Sequence, residues 1–120
     1  MTSNSSHRLI GLDPGLRVTG WGIVDAIGTK LVHVANGSVK SQQNAPLATR
    51  LLELENGLEE VFDNWQPDFA AVEQTFVNRD GAATLKLGQA RAVCLLVPAR
   101  RDIEVHEYAP NFIKRAVTGS

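Results

Sequence analysis

The sequence predicts an α/β domain built on one mixed five-stranded sheet with helices on both faces. Residues 8–39 contain three strand-like segments joined by tight turns. After them, segments whose apolar residues are spaced three and four apart alternate with short apolar runs. Helices that alternate with strands are typical of α/β architecture. A chain of 120 residues has room for one such domain and one hydrophobic core.

The first three strands are predicted over 8–12, 18–27 and 31–39. Asp13-Pro14-Gly15 is a turn signal after the first strand, and Gly28-Thr29-Lys30 makes a tight connection after the second. A parallel pair needs a crossover connection of about a dozen residues or more. Strands joined this closely are therefore predicted to be antiparallel neighbours.

The hydrophobic period changes after Pro46, which suits the first turn of a helix. Apolar residues from Leu47 to Trp65 follow helical spacing, and Pro67 stops the helix. The remaining predicted elements are a strand over 69–73, a helix from Asp80 or Gly81 until Pro98, a strand over 103–108, and a helix from Pro110 through Val117. The last two strands each follow a helix, so we expect parallel pairing through right-handed crossovers.

The predicted domain spans residues 8–120. Residues 1–7 are small and polar, and we expect them to form a disordered tail. The sequence ends at Ser120, soon after the last predicted helix, which has little to cover its side of the sheet. We therefore expect Ser120 to be a fragment end, with the C-terminal part of the domain missing.

The composition excludes several classes of protein. No apolar run approaches the roughly 18 residues needed to span a bilayer, and the N-terminus lacks the apolar stretch of a signal peptide. The single Cys94 excludes an intrachain disulfide, which fits a cytoplasmic location. The absence of a Cys/His cluster argues against structural zinc.

Charge is unevenly distributed along the chain. Residues 1–78 hold 5 Lys and Arg against 9 Asp and Glu, whereas residues 79–120 hold 7 against 4. A basic part beside an acidic part suits a protein that binds phosphate with one and metal with the other. Chance scatter is the simpler explanation of the same numbers.

Two acidic residues stand where a metal site is expected. Asp13 ends the first strand and Glu73 ends the fourth. If these strands are parallel neighbours, both carboxylates emerge at the carboxyl edge of the sheet, where α/β sheets place their sites. Carboxylate oxygens suit Mg²⁺ or Mn²⁺, and such ions assist phosphodiester cleavage.

Each acidic residue also has a structural explanation. Asp before Pro-Gly is commonly a turn residue, and a Glu at a strand end is commonly solvated. Asp25 and Asp102 are predicted at the opposite edge of the sheet, so neither fits the site. Glu107 lies at the correct edge and is a weaker third candidate.

Five segments carry a resemblance to a known family: IGLDPGLRVTGWGIVD, QPDFAAVEQTF, LKLGQAR, VHEYAP and KRAVTG. In order and spacing they resemble the RuvC family of crossover-junction endodeoxyribonucleases, and the resemblance extends from Leu9 to Gly119. It implies an RNase H-like fold. It also implies cleavage of four-way DNA junctions with Mg²⁺, for which Mn²⁺ substitutes.

The resemblance assigns roles to five positions. Asp13 and Glu73 match catalytic, metal-binding carboxylates. Phe76 matches an aromatic residue that stacks on bases at the junction centre, Arg79 a basic residue facing DNA, and Lys114 a lysine near the scissile phosphate. From its residues alone, Phe76 could equally belong to the core, and Lys114 could simply be solvated.

The resemblance also implies a homodimer that pairs through the LKLGQAR helix and works with a branch-migration helicase complex. Family members continue beyond this point into a helix that carries two further acidic groups. We therefore expect the 120-residue chain to have an incomplete active site and to be inactive alone. Two alternatives remain open, namely a non-catalytic DNA-binding or dimerisation module and an ATPase or sugar-kinase lobe, which would hold a nucleotide phosphate in the first hairpin.

Overall fold

The computed structural model describes residues 6–74 and 80–108. Its elements are β1 (Ser6–Asp13), β2 (Val18–Ile27), β3 (Lys30–Lys40), α1 (Leu47–Trp65), β4 (Phe69–Glu73), α2 (Gly81–Arg100) and β5 (Glu104–Tyr108). The five strands form one sheet in the order β3-β2-β1-β4-β5. Strands β1, β2 and β3 pair antiparallel, and β4 is parallel to both β1 and β5. The predicted mixed sheet is confirmed.

Most element boundaries differ from the prediction by at most one residue, and two differ by two residues. β1 begins at Ser6, because Ser6 and His7 pair with the end of β2, so these two residues belong to the sheet and not to the predicted tail. α2 continues past Pro98 to Arg100. Proline has no N–H, so it costs a helix one hydrogen bond. Pro98 is tolerated because it lies in the last turn of α2, where its side chain is buried. Its carbonyl accepts hydrogen bonds from the amides of Arg101 and Ile103.

The main core lies between the sheet and its two described helices. Side chains alternate along a strand, and the inward members are fully buried; they are Ile10 and Leu12 of β1, Ile23 of β2, and Ala70 and Val72 of β4. They pack in one cluster with Leu54, Leu58 and Phe62 of α1 and with Ala90, Cys94 and Val97 of α2. Both helices therefore cover the same face of the sheet.

A helix on the opposite face remains a prediction. The helix expected from Pro110 lies outside the described residues, as does the predicted disorder of residues 1–5. What the described fold decides is the direction of the strands. β1 and β4 run side by side, so their carboxyl ends meet at one edge.

Candidate active site

The structure brings Asp13 and Glu73 together. Leu12 of β1 is the register partner of Val72 of β4, and the acidic residues follow directly. Adjacent strands lie about 4.8 Å apart. Leu12 and Val72 point into the helix-covered core, so by alternation the next two side chains point to the opposite face. Both acidic residues are partly exposed.

The turn after Asp13 is held by a buried hydroxyl. Thr19 is fully buried, and its Oγ1 donates to the carbonyl of Gly15 at 2.7 Å while accepting from the amide of Gly15 at 3.2 Å. A Cβ on Gly15 would lie 2.3 Å from the carbonyl oxygen of Val18, so only glycine fits. The turn that follows Asp13 is therefore restrained both by hydrogen bonds and by close packing.

A second group of hydrogen bonds extends this support. The Ser41 hydroxyl donates to the carbonyl of Leu16 at 2.6 Å, and Arg50 Nε donates to Ser41 Oγ at 3.0 Å. The Ser41 amide donates to the carbonyl of Arg17 at 3.1 Å. Neither Thr19 nor Ser41 was predicted from the sequence to have such a role. The signal for Thr19 was a polar residue at an inward strand position, two residues before Trp21.

Glu107, the weaker third candidate, does not join the pair. It is the register partner of Val72, so its side chain lies on the helix-covered face. There it forms an ion pair with Arg91 of α2. Although Glu107 lies near the correct edge, it is on the wrong face.

The two excluded aspartates lie where the sequence placed them. Asp25 pairs with Arg8 near the start of β1, at the edge opposite Asp13, with 2.8 Å between Arg8 Nε and the carboxylate. The hydrogen bond from the Arg8 guanidinium lowers the pKa of Asp25, which burial acts to raise. Asp102 follows the end of α2 with a φ of 59° and precedes β5 at the same opposite edge.

Cys94 is not a nucleophile. Its side chain is packed in the core against the sheet, and this burial raises the pKa of the thiol to about 12. A thiol with such a pKa stays protonated at neutral pH, and the thiolate is the reactive form.

The available metal ligands in the described ranges are few. No group of three or more His, Cys, Asp or Glu side chains within residues 6–74 and 80–108 could hold a metal ion. Asp13 and Glu73 carry carboxylate oxygens, which are the ligands that Mg²⁺ prefers. Two side chains alone fill only part of the octahedral coordination of Mg²⁺. Phe76, Arg79 and Lys114 lie outside the described residues.

Some of the excess positive charge of residues 79–120 is neutralised by ion pairs within the fold. Arg100 contacts Glu55 and Glu59 of α1, and Arg101 contacts Glu59 and Asp63. These arginines link the C-terminal end of α2 to α1, so their charges are already paired within the fold. In the described part of the chain, no helix is both long and apolar enough to cross a membrane.

Comparison with known families and relatives gives a consistent result. Residues 9–120 match the family model described as crossover junction endodeoxyribonuclease RuvC. The protein of that name from Rhizobium leguminosarum bv. trifolii is 58% identical over 112 residues, and that from Mesorhizobium japonicum is 60% identical over 112 residues. Each match covers 93% of this chain and 66% of the relative, so the chain spans just under two thirds of these proteins.

Solved structures agree with this match. RuvC from Thermus thermophilus, in complex with a Holliday junction substrate, superposes with a TM-score of 0.80 at 27% identity, covering 95% of this chain and 70% of that one. The yeast mitochondrial Holliday junction resolvase shares the fold, with a TM-score of 0.64 at 11% identity over 95% of this chain and 59% of that one. With the family model covering nearly its whole length, this chain belongs to the RuvC family of crossover junction endodeoxyribonucleases.

Proposed function

We propose that the complete protein is a structure-selective endonuclease that resolves four-way DNA junctions by metal-dependent phosphodiester hydrolysis. The observation that carries this proposal is the adjacency of Asp13 and Glu73 at the carboxyl edge of β1 and β4, in a chain of the RuvC family. The Thermus relative was solved with a Holliday junction substrate, which supports the same class of DNA.

Asp13 and Glu73 would be two ligands of Mg²⁺, with Mn²⁺ as a substitute. Two carboxylates on neighbouring strands repel each other, and a divalent cation relieves that repulsion. A metal ion held there would supply Lewis acidity, which lowers the pKa of a bound water and stabilises negative charge on the leaving oxygen. Gly20 of β2 is the register partner of Asp13, so no side chain crowds the carboxylate from that strand.

We further propose that Phe76 stacks on an unpaired base, that Arg79 faces DNA, and that Lys114 lies near the scissile phosphate. The RuvC resemblance supports these roles, since the three residues are outside the described ranges. Stacking by an aromatic side chain suits an enzyme that selects DNA by shape, because an aromatic ring can stack on any unpaired base whatever its identity.

The proposed assembly is a homodimer formed through α2. Leu85 is 63% exposed and Leu96 is 49% exposed. A Cβ on Gly88 would meet no atom of its own chain within 4 Å, so another helix has room to approach there. Two equivalent sites related by a two-fold axis suit a junction with the same symmetry. A branch-migration helicase complex and a cytoplasmic location belong to the same proposal.

The first hairpin argues against a nucleotide-binding lobe. In that alternative, backbone amides of the turn after Asp13 would face a phosphate. The amide of Gly15 instead donates to Thr19 within the chain. The other alternative, a module that binds DNA or dimerises without cutting, is separated from the proposal by a cleavage assay.

The test uses the complete protein, a labelled synthetic four-way junction and Mg²⁺. We expect paired symmetric nicks from the unaltered protein and a loss of about 10²-fold or more in Asp13→Asn, because a neutral amide cannot replace a charged metal ligand. Asp102→Asn makes the same chemical change at the opposite edge and is expected to cut normally. Equal cutting by Asp13→Asn and Asp102→Asn would refute the site, and absence of cutting by the unaltered protein would favour the binding module.

A further inference from the structure

One peptide group at the candidate site is held from two directions. The peptide between Glu73 and Gln74 closes the end of β4, where the proposed metal ligand emerges. Its carbonyl oxygen accepts from Arg91 Nε of α2 at 3.4 Å, and its amide donates to the carbonyl of Tyr108 of β5 at 2.9 Å. Neither contact belongs to the hydrogen bonds of the sheet, since the first comes from a side chain and Gln74 lies past the end of β4.

The same arginine also holds the neighbouring strand. Arg91 forms an ion pair with the carboxylate of Glu107, the residue before Tyr108 in β5. The contacts close a ring from Arg91 to the Glu73 carbonyl, through the Gln74 amide to Tyr108, and back through Glu107. α2, β4 and β5 are thereby joined at one point beside the carboxylate pair.

We propose that Arg91 is a positioning residue for Glu73. By fixing the carbonyl of Glu73, it fixes the backbone that carries the carboxylate, at the edge where Asp13 also lies. Arginine suits this role because its planar guanidinium donates in several fixed directions at once, which a lysine ammonium does not. This inference rests on the proposed function, since it gives Arg91 a role in holding a metal ligand.

A purely structural ion pair is the competing explanation. The Glu107 side chain is 47% exposed and that of Arg91 is 20% exposed, and pairs of this kind add little to stability. If the ion pair were the whole purpose of Arg91, any pair of opposite charges at these positions would serve. The position of the guanidinium on the Glu73 carbonyl would then be incidental.

Three variants of the complete protein separate the two explanations. Arg91→Gln removes both contacts of the guanidinium. Glu107→Gln removes the ion pair but leaves the donor to Glu73 in place. The double variant with Arg91→Glu and Glu107→Arg restores a pair of opposite charges without a donor at the Glu73 carbonyl.

Three measurements are made on each variant: the unfolding midpoint, the hydrogen exchange rate of the Gln74 amide, and the dissociation constant for Mn²⁺ in the absence of DNA. We expect Arg91→Gln to speed Gln74 exchange about tenfold or more and to weaken Mn²⁺ binding by a similar factor. Glu107→Gln is expected to change both by about threefold or less. The charge-swapped protein is expected to regain the unfolding midpoint while Mn²⁺ binding stays weak.

Two results would overturn the inference. Recovery of Mn²⁺ binding in the charge-swapped protein would show that opposite charges suffice. Unchanged Mn²⁺ binding in Arg91→Gln, whatever happens to Gln74 exchange, would reduce Arg91 to a structural role. Failure of the proposed function has a different signature, since Asp13→Asn would then bind Mn²⁺ as the unaltered protein does.

Discussion

Thr19 shows how one side chain can hold a catalytic candidate without touching it. Its hydroxyl satisfies both the amide and the carbonyl of Gly15, two residues after Asp13, and it does so with no exposed surface. The amide and carbonyl of Gly15 are partly buried, so without their partners they would lose part of their hydrogen bonding to water and gain nothing in return. We therefore expect the turn to depend on the hydroxyl more than on the size of the side chain.

Thr19→Val keeps the volume of the side chain but removes the hydroxyl. We expect it to lower the free energy of unfolding by about 1–3 kcal/mol, because Gly15 loses both partners. Thr19→Ser keeps the hydroxyl and loses one methyl group, which we expect to cost about 1 kcal/mol or less. Urea denaturation measures both. A Ser variant less stable than the Val variant would show that packing of the methyl group, and not the hydrogen bonds, is what Thr19 supplies.

At the scale of the elements, two glycines inside helices have opposite surroundings. Gly57 of α1 lies under β3, where an added Cβ would sit 2.3 Å from Val39 Cγ1. Gly88 of α2 is exposed, and an added Cβ would meet nothing within 4 Å. Gly57 thus permits α1 to approach β3 closely. Gly88 leaves a shallow depression on the exposed surface of α2.

The same substitution should therefore have opposite effects. Alanine favours a helix over glycine by about 1 kcal/mol, so Gly88→Ala should stabilise the folded monomer by that amount. In Gly57→Ala the clash with Val39 should outweigh this gain, with a net loss of about 1–2 kcal/mol. Urea denaturation at concentrations where the protein is monomeric measures both.

Gly88→Ala also tests the proposed dimer. If α2 pairs closely with its copy at Gly88, the added methyl should raise the dimer dissociation constant by about tenfold or more, measured by sedimentation equilibrium. An unchanged dissociation constant would place the pairing surface elsewhere on the molecule.

At the scale of the whole molecule, the two edges at which the strands begin and end carry different polar groups. At one edge Arg8 and Asp25 pair, and the Arg8 guanidinium also donates to the carbonyl of Trp65 at the end of α1. At the other edge lie Asp13 and Glu73, partly exposed. The Arg8–Asp25 pair thus lies far from the two carboxylates of the candidate site, whereas the Arg91–Glu107 pair lies at the same edge as Glu73, on the helix-covered face.

The described residues offer two carboxylates for a metal, and a hydrolytic site needs its metal held in a fixed position. We therefore predict that residues 1–120 alone bind Mn²⁺ weakly and do not cut a four-way junction at a useful rate. The measurement is incubation of the purified chain with a labelled junction and Mg²⁺, beside its Asp13→Asn variant. Symmetric nicking that disappears in the variant would show that these carboxylates suffice.

The sequence by itself determined the type and chain order of the described elements, the antiparallel and parallel pairing of the strands, and the two carboxylates at matching strand ends. Strong local signals made this possible. Turns of two or three residues dictate antiparallel pairing, and a helix between strands dictates a parallel crossover. The same rules placed Asp25 and Asp102 at the far edge, as the structure confirms.

Tertiary structure alone decided which polar groups meet. Thr19 bonds to Gly15 within one hairpin, but only the folded turn brings the two groups together. Arg91 contacts the Glu73 carbonyl and the Glu107 carboxylate through the packing of α2 against β4 and β5. Charge counts could not show that Arg100 and Arg101 are paired with α1, because pairing depends on how two helices pack. Local patterns specify elements, whereas the partners of buried and bridging polar side chains follow from the packing of those elements against one another.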